Sequence, residues 1–407
     1  MKISKTVLGL TLALALVSVP VLAADSVDKV ILASSVNNPD AMVATSVSHK
    51  LGVPILFTDG DELSEETRSA LRDLDPSEVV VVGGPAVVSE DVVNEVKNLG
   101  YSTTWLWGMT RYGTAEEITT RFWPEGAEEA VLVENRRGER NLNALAASTN
   151  LVKDSPILPI SQGEIPAVIL NQLKELNVER VTVIGTEVTE EMESNLSSLG
   201  IQIQERIQAK NETRLKEKIE EKAMDDLESN TTLMVVASSA ASQAVSSVNV
   251  PGSQSLLVSS RKDVLEIVDV IKEKGIQTVR VVGRPDLARK VVGTLTNRTD
   301  ATVELVSGQG VAAQAAAIAR KNRPEFARKF KRSYGKWQQQ LQKKQQIVKK
   351  RANQTLSKVK GLMDDFNATE TEEYREALQA YRQGNYNDAL EKAMEARQEM
   401  RGRRWQR

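Results

Sequence analysis

The sequence has no cysteine, a single histidine (His49), and aromatic residues at only 4% of its 407 positions. Without thiols there is no disulfide framework, no thiolate zinc site and no iron–sulfur cluster. A lone histidine cannot make a metal site, and nothing around His49 implies a serine or acid partner. It reads as a surface or packing residue at the end of a predicted helix rather than as a base. Beyond residue 24 no stretch approaches 18 uninterrupted apolar residues, so no later segment is expected to cross a bilayer. A Walker A lysine is missing, as is a G-x-G-x-x-G after a first strand, which removes the usual support for nucleotide binding. What remains is 41% hydrophobic and 27% charged, the composition of a folded chain long enough for two to four domains.

The amino terminus reads as an export signal. Lys2 and Lys5 precede an apolar stretch from Val7 to Val17, and Val21-Leu22-Ala23-Ala24 offers small residues before Asp25. The form of this exit favours a signal peptide over residues 1–24 rather than a retained anchor. The net charge of −2 hides an asymmetry. Arg320 to Arg407 holds 23 Lys and Arg against 11 Asp and Glu, whereas the rest holds 30 against 44. The two parts are built for different surroundings.

Three copies of one pattern fill the chain before that tail. Val30-Ile31-Leu32-Ala33, Ala130-Val131-Leu132-Val133 and Met234-Val235-Val236-Ala237 are strand-like runs. Each precedes a polar loop and a small-residue helix, at Asp40-Ala41-Met42, Asn143-Ala144-Leu145 and Gln243-Ala244-Val245. Short apolar strands follow at Pro54–Phe57, Pro156–Leu158 and Ser255–Val258. Then come Val79–Gly84, Val181–Thr186 and Val279–Arg284. Continuous β-branched runs of this kind predict buried parallel strands covered by helices on both faces. The fold class expected is α/β: three small doubly wound parallel-sheet modules followed by an α-helical C-terminal region. Boundaries are expected at 25–123, 124–229, 230–321 and 322–407, with Trp123–Gly126 as the first linker. Ser64 and Ser89 are expected to cap helices, and Leu99-Gly100 and Leu199-Gly200 to end them.

Copy one resembles the cell wall binding type 2 repeat, a module that holds surface proteins non-covalently to the bacterial envelope and also occurs in archaeal secreted proteins. The residues that carry the resemblance are Asp40-Ala41, Pro54-Ile55-Leu56, Val81-Val82-Gly83-Gly84, Ser89, Leu99-Gly100 and Gly108-x-x-Arg111-Tyr112-x-Thr114-Ala115, in order over about 90 residues. Copies two and three depart from it, with Gly185-Thr186 and Gly283-Arg284 for the glycine pair and Val311 where an arginine should stand. The resemblance implies a pseudo-threefold arrangement of the three copies, a cell-surface location for the secreted chain, and binding of an anionic wall or surface glycopolymer near the clefts between modules. It implies ligand contacts at Asp40, Pro54, Gly83, Gly84 and Arg111. The single histidine, the missing cysteine and the lack of a nucleophile motif speak against an enzyme.

Read from the residues alone, those positions keep alternatives open. Gly83-Gly84 after a strand could cradle an anion on backbone amides, or simply permit a tight turn. Arg111 could pair with an anionic ligand or with a carboxylate of its own module. Asp40, at a strand's carboxyl end, could bind or could cap the next helix. No cofactor, metal or nucleic acid is expected. The competing reading is an enzyme acting on nucleotides or sugars in the α/β clefts.

The tail begins at Pro324, and Phe326, Phe330, Trp337, Leu341, Val348, Leu356 and Val359 follow at helical spacing. From Arg320 to Lys360 there are 15 Lys and Arg and one acid, Glu325. A long cationic amphipathic helix is expected. It could present a solvated face, meet an anionic polymer or lipid surface, or hold a protein partner as a scaffold or coiled coil. Asn367-Ala368-Thr369 breaks the pattern, and Ala-x-x-x-Gly384-Asn385-Tyr386-x-x-Ala389-Leu390 resembles one tetratricopeptide-like hairpin, which must dock onto something to bury a core. Six sequons, at Asn195, Asn211, Asn230, Asn297, Asn353 and Asn367, are glycan acceptors in an exported chain whose organism modifies them. Their density leans towards an archaeal source.

Overall fold

The computed structural model describes residues 27–35, 38–135, 154–225, 227–237, 250–366 and 370–404. The expected leader at 1–24, the copy-two and copy-three helices around Asn143 and Gln243, and the break at 367–369 lie outside these residues.

Copy one contains β1 (Lys29–Ser34), α1 (Asn38–Leu51), β2 (Ile55–Thr58), α2 (Glu65–Leu74), β3 (Glu78–Val82), α3 (Glu90–Asn98), β4 (Ser102–Leu106) and α4 (Arg111–Phe122). Copy two contains β5 (Glu129–Glu134), β6 (Ile157–Ile160), α5 (Ala167–Glu175), β7 (Arg180–Gly185), α6 (Glu190–Ser198), β8 (Gln202–Gln208) and α7 (Glu212–Asp225). Copy three contains β9 (Thr232–Ala237), β10 (Ser253–Leu257), α8 (Arg261–Lys274), β11 (Thr278–Gly283), α9 (Pro285–Arg298), β12 (Thr302–Ser307) and α10 (Val311–Lys321). The tail is α11 (Arg323–Phe366), α12 (Glu372–Gln383) and α13 (Tyr386–Arg404).

Each copy folds into a four-stranded parallel sheet, in the orders β2-β1-β3-β4, β6-β5-β7-β8 and β10-β9-β11-β12. The β-branched runs occupy the two central strands, where both faces are covered, and they are buried along nearly their whole length. Register fixes the equivalences between copies. The row Leu56–Leu32–Val81–Trp105 recurs as Leu158–Leu132–Val183–Arg206 and as Leu256–Val235–Val281–Leu305. In the connections, the Ser64 and Ser89 hydroxyls accept from the amides of Thr67 and Val92. Gly100 and Gly200 end α3 and α6 with φ of +97° and +74°, which only glycine adopts cheaply.

The last helix of each copy leaves its own sheet and packs on the next one. Helix α4 lies against β6 and α5, α7 against β10, and α10 returns to β2 and α2. The amphipathic pattern explains each step. Ile118 and Phe122 of α4 share a core with Ile157, Ile165 and Ile169, and Gln172 Nε2 donates to Thr119 Oγ1 at 2.8 Å. Leu215 and Ile219 of α7 join Leu257 in that same core. Ala316 and Ala319 of α10 join Leu63, Leu71 and Leu74, with Arg320 Nε donating to Asp73 Oδ2 at 2.6 Å. The three copies therefore close a ring by exchanging helices in one direction.

Helix α11 is seated on copy one by aromatic residues. Phe330 stacks on Tyr334 with centroids 4.4 Å apart, and Trp337 stacks on Phe122 at 5.5 Å. Gly52, at φ +71°, leaves the room that α11 needs, because a Cβ there would lie 2.4 Å from Lys329 Cβ. The distal part of α11 carries Leu356, Val359 and Met363 onto Tyr374, Ala377, Ala393 and Ala396 of the α12–α13 hairpin. The hairpin docks onto the helix that precedes it. Away from that seam, Arg332, Lys336, Lys343, Lys350 and Lys358 are exposed along α11. At intervals of 4, 7, 7 and 8 residues they form a single cationic stripe, with Lys343 Nζ 3.4 Å from Glu125 Oε1 of copy one.

Candidate functional site

The carboxyl ends of the copy-one strands gather against copy two. Asp40 is the third residue of α1, not its cap. Its side chain is 6% exposed, accepts from Thr114, and lies near Arg111. Burial drives its pKa up from 3.8 to about 6, against the opposing pull of the Thr114 hydrogen bond and the Arg111 charge. Among the described residues Oδ1 has no hydrogen-bond partner.

Arg111 opens α4 behind the capping Thr110, whose hydroxyl accepts from Gly113 N at 3.2 Å. It leaves copy one: Nη1 donates to Asn135 Oδ1 at 3.0 Å, just past the carboxyl end of β5. Asn135 is 7% exposed, and its Nδ2 is buried with no partner among the described residues. Tyr112 adds a second tie across the junction, its hydroxyl 2.7 Å from Ser161 Oγ. An acceptor and a donor, both buried and unpaired, thus flank one guanidinium. Such groups cost free energy unless something pairs with them.

Both glycines serve this edge. Gly83 has φ +111°, and a Cβ there would meet Val87 Cγ2 at 2.8 Å and Asp40 Oδ2 at 3.3 Å. At Gly84 a Cβ would press on Trp107 Cε3 at 3.1 Å. Trp105 Nε1 donates to Gly83 O at 2.7 Å, and its ring lies 6.0 Å from that of Trp107 at 45°. Trp107, packed against Gly84, is 38% exposed and Met109 91% exposed, so apolar side chains stand open to solvent along this edge.

Of the residues singled out in the sequence, Asp40, Gly83, Gly84 and Arg111 lie on this edge. Pro54 does not: it is buried before β2, at the amino end of the sheet, where its carbonyl accepts from Ile31 N. Its place in the repeat pattern is explained by starting an edge strand. His49 is neutral at physiological pH, its pKa lowered to about 4 by burial and then by Lys329. Trp107, Asn135 and Ser161 were not legible as site residues. A tryptophan beside a glycine after a strand is a weak signal, and the other two belong to a different copy.

Copies two and three do not reproduce the arrangement. In copy two the chain's own Glu134 carboxylate accepts from Thr186 N at 2.5 Å and from Thr186 Oγ1 at 2.9 Å, filling the turn after Gly185. In copy three Arg284 and Pro285 lead directly into α9. Of the sequons, Asn211, Asn230, Asn297 and Asn353 are exposed, Asn195 is half-buried, and Asn367 lies outside the described residues.

Residues 2–93 match the sequence profile of cell wall binding domain 2 (CWB2). Over these residues, less than a quarter of the chain, it resembles CWB2 domains. The amidase LytC (N-acetylmuramoyl-L-alanine amidase) of Bacillus subtilis (strain 168) is 29% identical over 147 residues, 36% of this chain and 29% of that protein. An uncharacterised protein of Pyrococcus abyssi (strain GE5 / Orsay) is 26% identical over 183 residues, 44% of this chain and 54% of its own length. Among solved structures, Cwp6 and Cwp8 from Clostridium difficile superpose with TM-scores of 0.55 and 0.52 at 17% and 18% identity. Each covers 68% of this chain, which in turn covers 45% of Cwp6 and 48% of Cwp8. At that identity the likeness is one of fold: three α/β modules. A CWB2 domain is a cell-wall-binding unit. Among the described residues, no helix is long and apolar enough to cross a membrane.

Proposed function

We propose that this is a secreted, non-catalytic cell-surface protein that grips an envelope glycopolymer at the junction of copies one and two. The observation that carries the reading is the pair of buried, unpartnered atoms, Asp40 Oδ1 and Asn135 Nδ2, on either side of Arg111. A sugar satisfies this set well. Its hydroxyls donate to a carboxylate and accept from an amide, a guanidinium holds a carboxylate or phosphate substituent, and Trp107 offers a face for an apolar ring surface. The stripe on α11 supplies a second, electrostatic hold on the same anionic polymer.

Binding rather than turnover fits the groups present. The sole histidine is half-buried and neutral on another part of copy one, and Asp40 is tied to Thr114 and Arg111. The test is co-sedimentation of the mature chain with envelopes stripped of protein. Arg111→Ala and Trp107→Ala are each expected to weaken binding about tenfold or more, the loss typical of a charge-assisted hydrogen bond or an aromatic contact. Unchanged sedimentation of both variants would overturn the copy-one site. Raised salt should weaken the full chain more than a chain ending at Lys321, which lacks the stripe.

A further inference from the structure

Copy two carries a cavity of about 880 Å³ at the outer carboxyl edge of its sheet. It lies between β8 and the start of α7, and Arg206, Lys210, Arg214 and Lys218 line it against a single acid, Glu217. Its volume is in the range of small-molecule sites.

Strand register shows what this place is. Arg206 pairs with Val183 as Trp105 pairs with Val81, and Gln208 stands beside Gly185 one step beyond Ile207. Counting on from the same row, Gln208 replaces Trp107, Lys210 replaces Met109, and Asn211 replaces the capping Thr110. The aromatic edge of copy one has become cationic in copy two at equivalent backbone positions. Asn211 caps α7 by accepting from Arg214 N at 2.9 Å, which fixes the cavity's floor.

The two arginines each meet one carboxylate, which leaves them capacity to bind. Arg206 Nη2 donates to Glu193 Oε1 at 2.8 Å from outside the cavity, and Arg214 Nη1 to Glu217 Oε2 at 2.5 Å. Each guanidinium has five N–H groups, so one carboxylate does not saturate it. Lys218 Nζ uses one of its three protons on Gln208 O at 2.7 Å. Thr186, Thr213 and Gln208 complete a polar wall. We propose that this cavity is an oxyanion site, binding a phosphate or carboxylate group of a polymer or small solute, separate from the copy-one junction.

The proposal does not depend on the copy-one reading, and its test uses the full chain. Isothermal titration with a short glycerol phosphate oligomer, a galacturonate oligomer and a neutral maltooligosaccharide separates the anion classes. The expected result is saturable binding of one or both anionic probes, weakened at high salt, with the neutral probe much weaker. Arg206→Gln combined with Arg214→Gln is expected to lose about tenfold or more, while Arg206→Lys with Arg214→Lys retains most of the affinity. Thermal unfolding checks that these half-exposed substitutions leave the fold intact. No binding of either anionic probe, equal binding by the Gln variant, or equal binding of the neutral probe would each sink the proposal. Envelope co-sedimentation of Arg111→Ala, which leaves the lining of the copy-two cavity unchanged, reads the copy-one site separately.

Discussion

Asp40 sets a conflict between stability and binding that a titration can expose. Its folded pKa of about 6 lies above its usual 3.8, so the folded state favours the protonated acid. The stabilising effect of that proton is complete below pH 3.8 and is lost as the pH rises through about 6. At about 1.36 kcal/mol per pH unit, the loss approaches 3 kcal/mol. Asp40→Asn keeps the acceptor for Thr114 and removes the charge. It is therefore expected to be more stable than the parent at pH 7.5 by up to about 3 kcal/mol, with the two converging near pH 3.5. Denaturant melts at both pH values check this. The same variant should bind envelopes less well, because a neutral amide accepts hydroxyl protons more weakly than a carboxylate. A variant that gains stability and loses binding cannot be dismissed as misfolded. Gly52 makes the opposite case: Gly52→Ala strains a φ of +71° and collides with Lys329, so the melting temperature should fall.

At the scale of elements, the strands were legible because fully buried parallel strands need no partner to be recognised: Val79–Val82 and Val279–Val282 read directly as sheet centre. The Ser64 and Ser89 caps were equally plain, since capping is local. What could not be read is where a helix goes after its strand. Nothing in Arg111–Phe122 says that Ile118 and Phe122 will bury against copy two rather than their own sheet. For the same reason Asn135 was invisible as a partner of Arg111. The tail shows both cases. Its amphipathic period announced a long helix, but its seat depends on Phe122 and Gly52, far away in sequence. Trp337 is 3% exposed, and its Nε1 donates to Arg121 O at 3.3 Å. Trp337→Ala removes a buried aromatic side chain, a change that costs about 3–5 kcal/mol. Because the loss falls on the seam between α11 and copy one, trypsin is expected to cut at Arg332 and Lys336 sooner, while the three sheets stay resistant. Cleavage at parent rates would mean that Phe326 and Phe330 suffice to hold the helix.

For the whole molecule, the one-way exchange of helices makes the three copies a single cooperative body rather than beads on a string. Copy one cannot complete its core without α10, because Leu63, Leu71 and Leu74 are buried together with Ala316 and Ala319 from the far end of the ring. This gives the candidate site its rigidity. Arg111 and Asn135 come from different copies, so their spacing is held only while the ring stays closed. Differential scanning calorimetry of the mature chain is expected to show one transition for all three sheets. Ala316→Glu tests the closure directly. Ala316 is fully buried, and an unpaired carboxylate there is destabilising by several kcal/mol. The alanine lies on the α10 seam and contributes nothing to the copy-one junction itself. If closure is the source of cooperativity, the variant's transition should split, and the copy-one site should lose envelope binding although none of its residues has changed. If the transition merely shifts to lower temperature and binding persists, each junction is held by its own local contacts, and the ring is a consequence of the repeats rather than the device that positions the site.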